Sequence, residues 1–264
     1  MTMRIDRRET AEIWTFDRPA VANAIDRATV DALEAATDDL ERRLAEEAEV
    51  PRGLILASAP RPSGRAVFLS GADLGELAEI ASADDARRFS LRMTTLLARV
   101  EALPIVVVAA IAGDVYGGGC ELVTACDLRI AERGVRFSFR QAQMGLSTGW
   151  GGTTRLVHLV GLGAAKRLLL TGLACEATDA LRVGLVDEVV AEGEALSRAQ
   201  EIVRAASDGG RRAVAALKRG LHEALAHDRA TSYARELDRF VEAWSGEEHR
   251  SALARIARAR AERA

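Results

Sequence analysis

The run IVVVAAIAGDVYGGGCELVTACDLRI, residues 105–130, decides how this chain folds. Its apolar opening is too short to span a bilayer and rich in β-branched residues, so it predicts a buried strand. Three glycines at 117–119 and the acidic Glu121 follow at the strand's end. Glycine admits positive φ and lets a ligand approach backbone N–H groups. If CELVTAC opens a helix, those N–H groups sit at its positive end and suit an anion or oxyanion. The spacing is neither GxGxxG nor GxxxxGK, which disfavours a nucleotide loop. A tight strand-to-helix turn explains this segment alone equally well.

A second strand end has the same character. In FLSGADLGEL, residues 68–77, Asp73 is placed to cap a helix and Ala72 to present its backbone N–H. Two backbone donors from separate strand ends can converge on one oxygen, the arrangement that stabilises a thioester enolate. Further strands are expected at AEIWTFD (11–17), PRGLILASA (51–59), AVFLSG (66–71), LRIAE and VRFSF. Helices are expected at RATVDALEAATDDLERRLAEEAE (27–49), at 75–101 and, briefly, up to Cys126. Strands followed by a helix thus recur over the first two thirds of the chain. From about residue 163 the chain reads as nearly all helix, broken by a helix and short strand near LTGLACEATDALRVGLVDEVV.

Composition narrows the classes. With 264 residues, 48% of them hydrophobic and 28% charged, the chain reads as one soluble α/β domain with a helical appendage. A formal net charge of -3 gives no global pull towards nucleic acid, and the Arg-rich C-terminal helix lacks interleaved aromatics. Cys120, Cys126 and Cys175 are odd in number and show no CxxC spacing. That argues against disulfides or zinc and fits a reducing cytoplasm. No membrane segment, signal peptide or metal-spaced histidine set is expected. Cys120, without a basic neighbour, reads as an inert buried thiol.

Taken in order, RPAVANAID (18–26), SGADLGEL (70–77), AAIAGDVYGGGCELVTACDLRIAERGVRFSF (109–139), MGLSTGWGGTTRL (144–156) and TGLACEATDALRVGLVDEVV (171–190) resemble the crotonase superfamily. That superfamily is the enoyl-CoA hydratase/isomerase family. The resemblance implies a repeated ββα spiral core at 1–195 and a helical trimerisation region at 196–264, assembled as a homotrimer or dimer of trimers. It also implies an acyl-CoA substrate, with no cofactor beyond the substrate's own coenzyme A. By position the thioester oxygen would be held by the N–H groups of Ala72 and Gly118. Asn23, Asp73, Tyr116, Gln141 and Trp150 would line the substrate site, Arg18 near a CoA phosphate.

Family hydratases hold their water between two glutamates. Glu121 matches the first, whereas counting back from Gly145 puts Gln141 at the second. An amide cannot shuttle a proton at neutral pH. A reaction needing an oxyanion hole and at most one acid is therefore expected. Decarboxylation of a short 2-carboxyacyl-CoA fits, and the text around Trp150 resembles the ethylmalonyl/methylmalonyl-CoA decarboxylase branch. A single-glutamate hydratase, a double-bond isomerase, an enolate-trapping C–C bond-forming enzyme and a non-catalytic binding protein stay open as alternatives.

Overall fold

The computed structural model describes residues 2–8, 10–47, 50–60, 64–80, 82–206, 208–244 and 246–261. An antiparallel hairpin, β1 (Met3–Arg7) and β2 (Glu12–Phe16), leads into α1 (Arg27–Glu46). Three strand–strand–helix units follow. The first is β3 (Gly53–Ser58), β4 (Val67–Leu69), the short α2 (Leu74–Ala78) and α3 (Ala83–Ala102). Next come β5 (Val106–Ile111), β6 (Asp114–Tyr116) and α4 (Gly118–Val123). The third is β7 (Leu128–Glu132), β8 (Arg136–Ser138) and α5 (Gly152–Thr171), broken at Gly161. The chain closes with β9 (Cys175–Glu176), α6 (Ala177–Arg182), β10 (Glu188–Val190), α7 (Ala195–Ala206), α8 (Arg211–Ala226), α9 (Arg229–Trp244) and α10 (Glu247–Ala261).

Each unit gives its first strand to one sheet and its second to another. The larger sheet runs β1-β2-β3-β5-β7-β10, parallel from β2 onward, and the smaller runs β4-β6-β8-β9. Strand β5 is central, and every residue in it is buried. Val107, Ala109 and Ile111 face the main core, while Val106, Val108 and Ala110 face a second cluster built by Ala195, Ala199 and Val203 of α7. Burial on both faces is why this strand reads as an unbroken apolar run instead of an alternating one.

Helices α1 and α3 are amphipathic and capped. Asp26 accepts the Thr29 N–H at 2.8 Å and Ser82 accepts the Asp85 N–H at 3.1 Å. Their outer faces carry a repeated ion-pair ladder: Arg92 meets Asp31 and Glu34, and Arg99, two turns on, meets Asp38 and Glu41. Helix α8 is tied to the core by the buried Lys218, whose Nζ donates to Asp127 at 2.7 Å and to the Ile105 carbonyl at 3.1 Å.

One strand was not expected, and two helix boundaries are corrected. The charged N-terminus forms an edge strand, β1, whose outward residues Arg4, Asp6 and Arg7 keep it in water. The helix expected over 75–101 is two helices, because Ser82 starts α3 afresh. The helical part of the chain begins at Gly152, not near 163. Among the described residues no helix is long and apolar enough to cross a membrane.

Candidate active site

The loops after β4 and β6 lie against each other. Ile25 bridges Ala72 in parallel fashion: its N–H donates to the Gly71 carbonyl at 2.8 Å, and its carbonyl accepts the Asp73 N–H at 2.9 Å. In such a bridge the central residue's own N–H points away from the partner strand, so the Ala72 N–H faces the other side. A Cβ on Gly71 would stand 2.8 Å from the Gly118 nitrogen, which measures how closely the loops approach. Gly117 turns the chain with φ 50°, and Gly118 then opens α4. As the first helical residue, Gly118 has no intrahelical acceptor for its N–H. Its missing side chain is filled by the Trp150 ring, which any Cβ would overlap. The structure thus brings Ala72, Gly118 and Trp150 to one point.

Glu121 lies in the first turn of α4 with 2% of its surface exposed. Its Oε2 accepts the backbone N–H groups of Trp150 at 2.7 Å and Gly152 at 3.0 Å. Oε1 accepts the Gln141 side-chain amide at 2.8 Å and the Gly149 N–H at 3.4 Å. All four partners are N–H donors, which suits an ionised, acceptor-only carboxylate. The Gly149–Gly152 turn is itself held from behind. The Gly149 carbonyl accepts the Ser90 hydroxyl and, at 3.1 Å, that of Thr94; the Trp150 carbonyl accepts Arg155 at 2.7 Å. A Cβ at Gly152 would come within 2.7 Å of Glu121 Oε2.

Gln141 starts the 3-10 turn Ala142–Met144 and reaches back to Glu121. Since a carboxylate only accepts, Nε2 faces it, and the amide oxygen Oε1 is left buried without a partner. The position expected to hold a second carboxylate therefore holds a donor to the first.

Beside the Ala72 loop a cleft of about 340 Å³ opens between α2 and the first turns of α3. Ile25, Ala72, Leu77, Ile80 and Phe89 line it together with seven charged side chains. Phe89 meets Trp150 edge-on, ring centroids 6.0 Å apart at 71°.

This geometry joins two backbone donors, one buried carboxylate and a cleft with both apolar and charged walls. The sequence model of one family, Enoyl-CoA hydratase/isomerase, matches residues 7–261. The chain belongs to the enoyl-CoA hydratase/isomerase family. It is 32% identical over 249 residues to the "Short-chain-enoyl-CoA hydratase" of Clostridium acetobutylicum, covering 94% of this chain and 92% of that protein. To the "Crotonyl-CoA hydratase" of Syntrophomonas wolfei it is 33% identical, covering 89% and 87%. The crystal structure of an enoyl-CoA hydratase from Bacillus anthracis superposes with a TM-score of 0.89 at 28% identity, covering 98% of this chain and 96% of that one. The strand–strand–helix units are accordingly the crotonase fold.

Within that fold some expected contacts fall elsewhere. Asn23, expected to face the CoA, is 1% exposed. Its amide donates to the Ala59 and Val67 carbonyls at 3.0 and 2.9 Å, and its oxygen accepts the Arg18 N–H at 3.0 Å. Asn23 is a staple holding the 18–26 loop on the strand ends. Arg18 clamps the same loop, donating to the Ala24 carbonyl at 2.7 Å and pairing with Asp26 and Asp73. Asp73 keeps its place at the wall of the cleft: it caps α2 through the Gly75 N–H, and the Arg18 hydrogen bond holds its carboxyl below the usual range. Tyr116 sends its hydroxyl to Asp114 at 2.7 Å, while Arg140 lies 4.2 Å over its ring centre. Cys120 is fully buried, and desolvation pushes its thiol far above the ordinary value. Gly149, Gly152, Ser90 and Phe89 were not foreseen. The signal for the first two was the GWGG run itself, where glycines flank the tryptophan.

Proposed function

We propose that this chain adds water across the C2–C3 double bond of a 2-enoyl-CoA thioester, with Glu121 as the single carboxylate that moves the proton. The observation that carries the reading is Glu121 itself: a buried carboxylate bound only by N–H donors, beside the Ala72 and Gly118 loops. The hydratase names of the relatives support it.

The chemistry follows from these groups. The thioester oxygen accepts the N–H groups of Ala72 and Gly118, which draws electron density from C3. Water bonds to C3 as its proton passes to Glu121, and the C2–C3 electron pair moves through C2 onto the thioester oxygen. The enolate then takes a proton at C2 from the Glu121 carboxylic acid, returning the carboxylate. Oxyanion donors of this kind typically contribute about 3 kcal/mol each to the transition state. Gln141 exchanges no proton; its amide fixes the orientation of Glu121 Oε1.

Decarboxylation, the reaction expected from the sequence, is less well supported. It would bring a substrate carboxylate beside a second, buried carboxyl group, Glu121, and like charges disfavour each other in a buried site. Homotrimeric or hexameric assembly in the cytoplasm belongs to the same proposal. Exposed apolar side chains on α8 and α9, among them Leu217, Leu221, Leu237 and Phe240, suit such a contact.

The test is chromatography with mass analysis of the protein incubated separately with crotonyl-CoA, methylmalonyl-CoA and a 3-enoyl-CoA, the double-bond isomers being resolved by retention. Gain of one water by crotonyl-CoA is expected. Loss of CO2 from methylmalonyl-CoA, or a shifted double bond without hydration, would overturn the assignment.

A further inference from the structure

Resting on the acyl-CoA reading above, we infer that Phe89, backed by Trp150, closes the inner end of the cleft and confines the protein to short acyl chains. Ala72, one of the two proposed oxyanion donors, lines the cleft, so an acyl chain leaving that donor enters it. Its apolar lining is Ile25, Ala72, Leu77, Ile80 and Phe89, while seven charged side chains, Arg88 and Arg92 of α3 among them, make up the rest of the wall. Behind Phe89 stands Trp150, 4% exposed, with its ring seated on Gly118. A chain cannot pass that pair inward. Outward of Phe89, added methylenes would lie against charged groups and water, where apolar burial gains little.

Phe89 is also fixed in place. The next residue, Ser90, donates its hydroxyl to the Gly149 carbonyl, in the same turn whose N–H groups hold Glu121. Moving Phe89 aside to admit a longer chain would therefore disturb the turn that orients the carboxylate. The wall and the acid/base group are mechanically joined, which makes chain length a property of the site's own scaffold.

Binding of saturated thioesters tests the wall without chemistry. Dissociation constants of butyryl-CoA and decanoyl-CoA are measured by calorimetry for the wild type, Phe89→Ala and Phe89→Leu, with thermal melts as the folding control. The wild type should bind decanoyl-CoA no tighter than butyryl-CoA. Phe89→Ala should tighten decanoyl-CoA relative to butyryl-CoA by about tenfold or more, the range expected for small changes in an apolar pocket. Phe89→Leu should move the ratio the same way by less, and it serves where the alanine variant fails to fold. A wild type that already prefers decanoyl-CoA tenfold, or folded variants with an unchanged ratio, would overturn the inference. Crotonyl-CoA hydration is scored separately. Its absence together with the expected binding ratio would sink the reaction and leave the wall standing.

Discussion

Gln141 donates its amide to Glu121 at 2.8 Å and leaves its own carbonyl oxygen buried with no partner. One side chain thus steadies the acid/base group and carries an unmet acceptor, an arrangement that costs about 1–3 kcal/mol when nothing bonds to it. Gln141→Glu would put two carboxylates at that separation. Such a pair cannot be fully ionised near neutral pH and retains one proton, a ready acid for C2. Hydration of crotonyl-CoA should rise by about tenfold or more, within the usual range for general acid catalysis. The gain should be present at low and neutral pH and be lost as pH rises and the shared proton leaves. A pH–rate profile beside the wild type measures both.

Gly152 has no side chain because Glu121 occupies the space. Gly152→Ala would drive a methyl group into the Glu121 side chain and displace the carboxylate. The expected result is a loss of about 1–3 kcal/mol in stability and a larger fall in kcat than in substrate affinity. Denaturant melts and steady-state kinetics separate the two effects.

Asp114, 1% exposed, accepts from Arg65, Arg136 and the Tyr116 hydroxyl, and these partners outweigh burial to hold its carboxyl at about 2. A folded value below the ordinary one means the stabilisation is present above about pH 4 and is lost as pH falls towards 2. Because both arginines reach solvent, we expect about 1–2 kcal/mol. Asp114→Asn should cost that amount at pH 7 and abolish this part of the acid dependence in denaturant unfolding from pH 7 to 2.

The two ion-pair classes should separate cleanly. Arg99→Ala, on the half-exposed ladder between α1 and α3, should cost less than about 1 kcal/mol and less still in high salt. Lys218→Met leaves the partly buried Asp127 without its cation and should cost about 2–3 kcal/mol, less than a fully buried pair because Asp127 keeps some contact with water. Urea midpoints at two salt concentrations check both values.

Much of this was legible in the residues. The all-apolar β5, the glycines and Glu121 announced a strand end built for a backbone approach, and the order of motifs announced the crotonase fold. The fate of side chains was less legible. Asn23 and Tyr116 sit in motifs that suggest ligand contact, yet their polar atoms are taken by Ala59, Val67 and Asp114, partners distant in sequence or facing along the strand. Gly149 and Gly152 contribute through backbone N–H groups, which no residue type advertises. Phe89 comes to the cleft on α3 and meets Trp150, 61 positions on in the 264-residue chain, a pairing no local pattern advertises. Strand β1 was missed because its charged residues face water on an edge, where apolar patterning is absent.

The central claim is that one carboxylate, Glu121, moves the proton. It is tested most directly by kcat/KM for crotonyl-CoA hydration in the wild type and in Glu121→Gln, with matched melts to show that both are folded. The account predicts a fall of about a hundredfold to ten-thousandfold, the span typical of a lost general acid–base group. A folded Glu121→Gln within a few fold of the wild type would contradict it, and the proton carrier would then have to be another group.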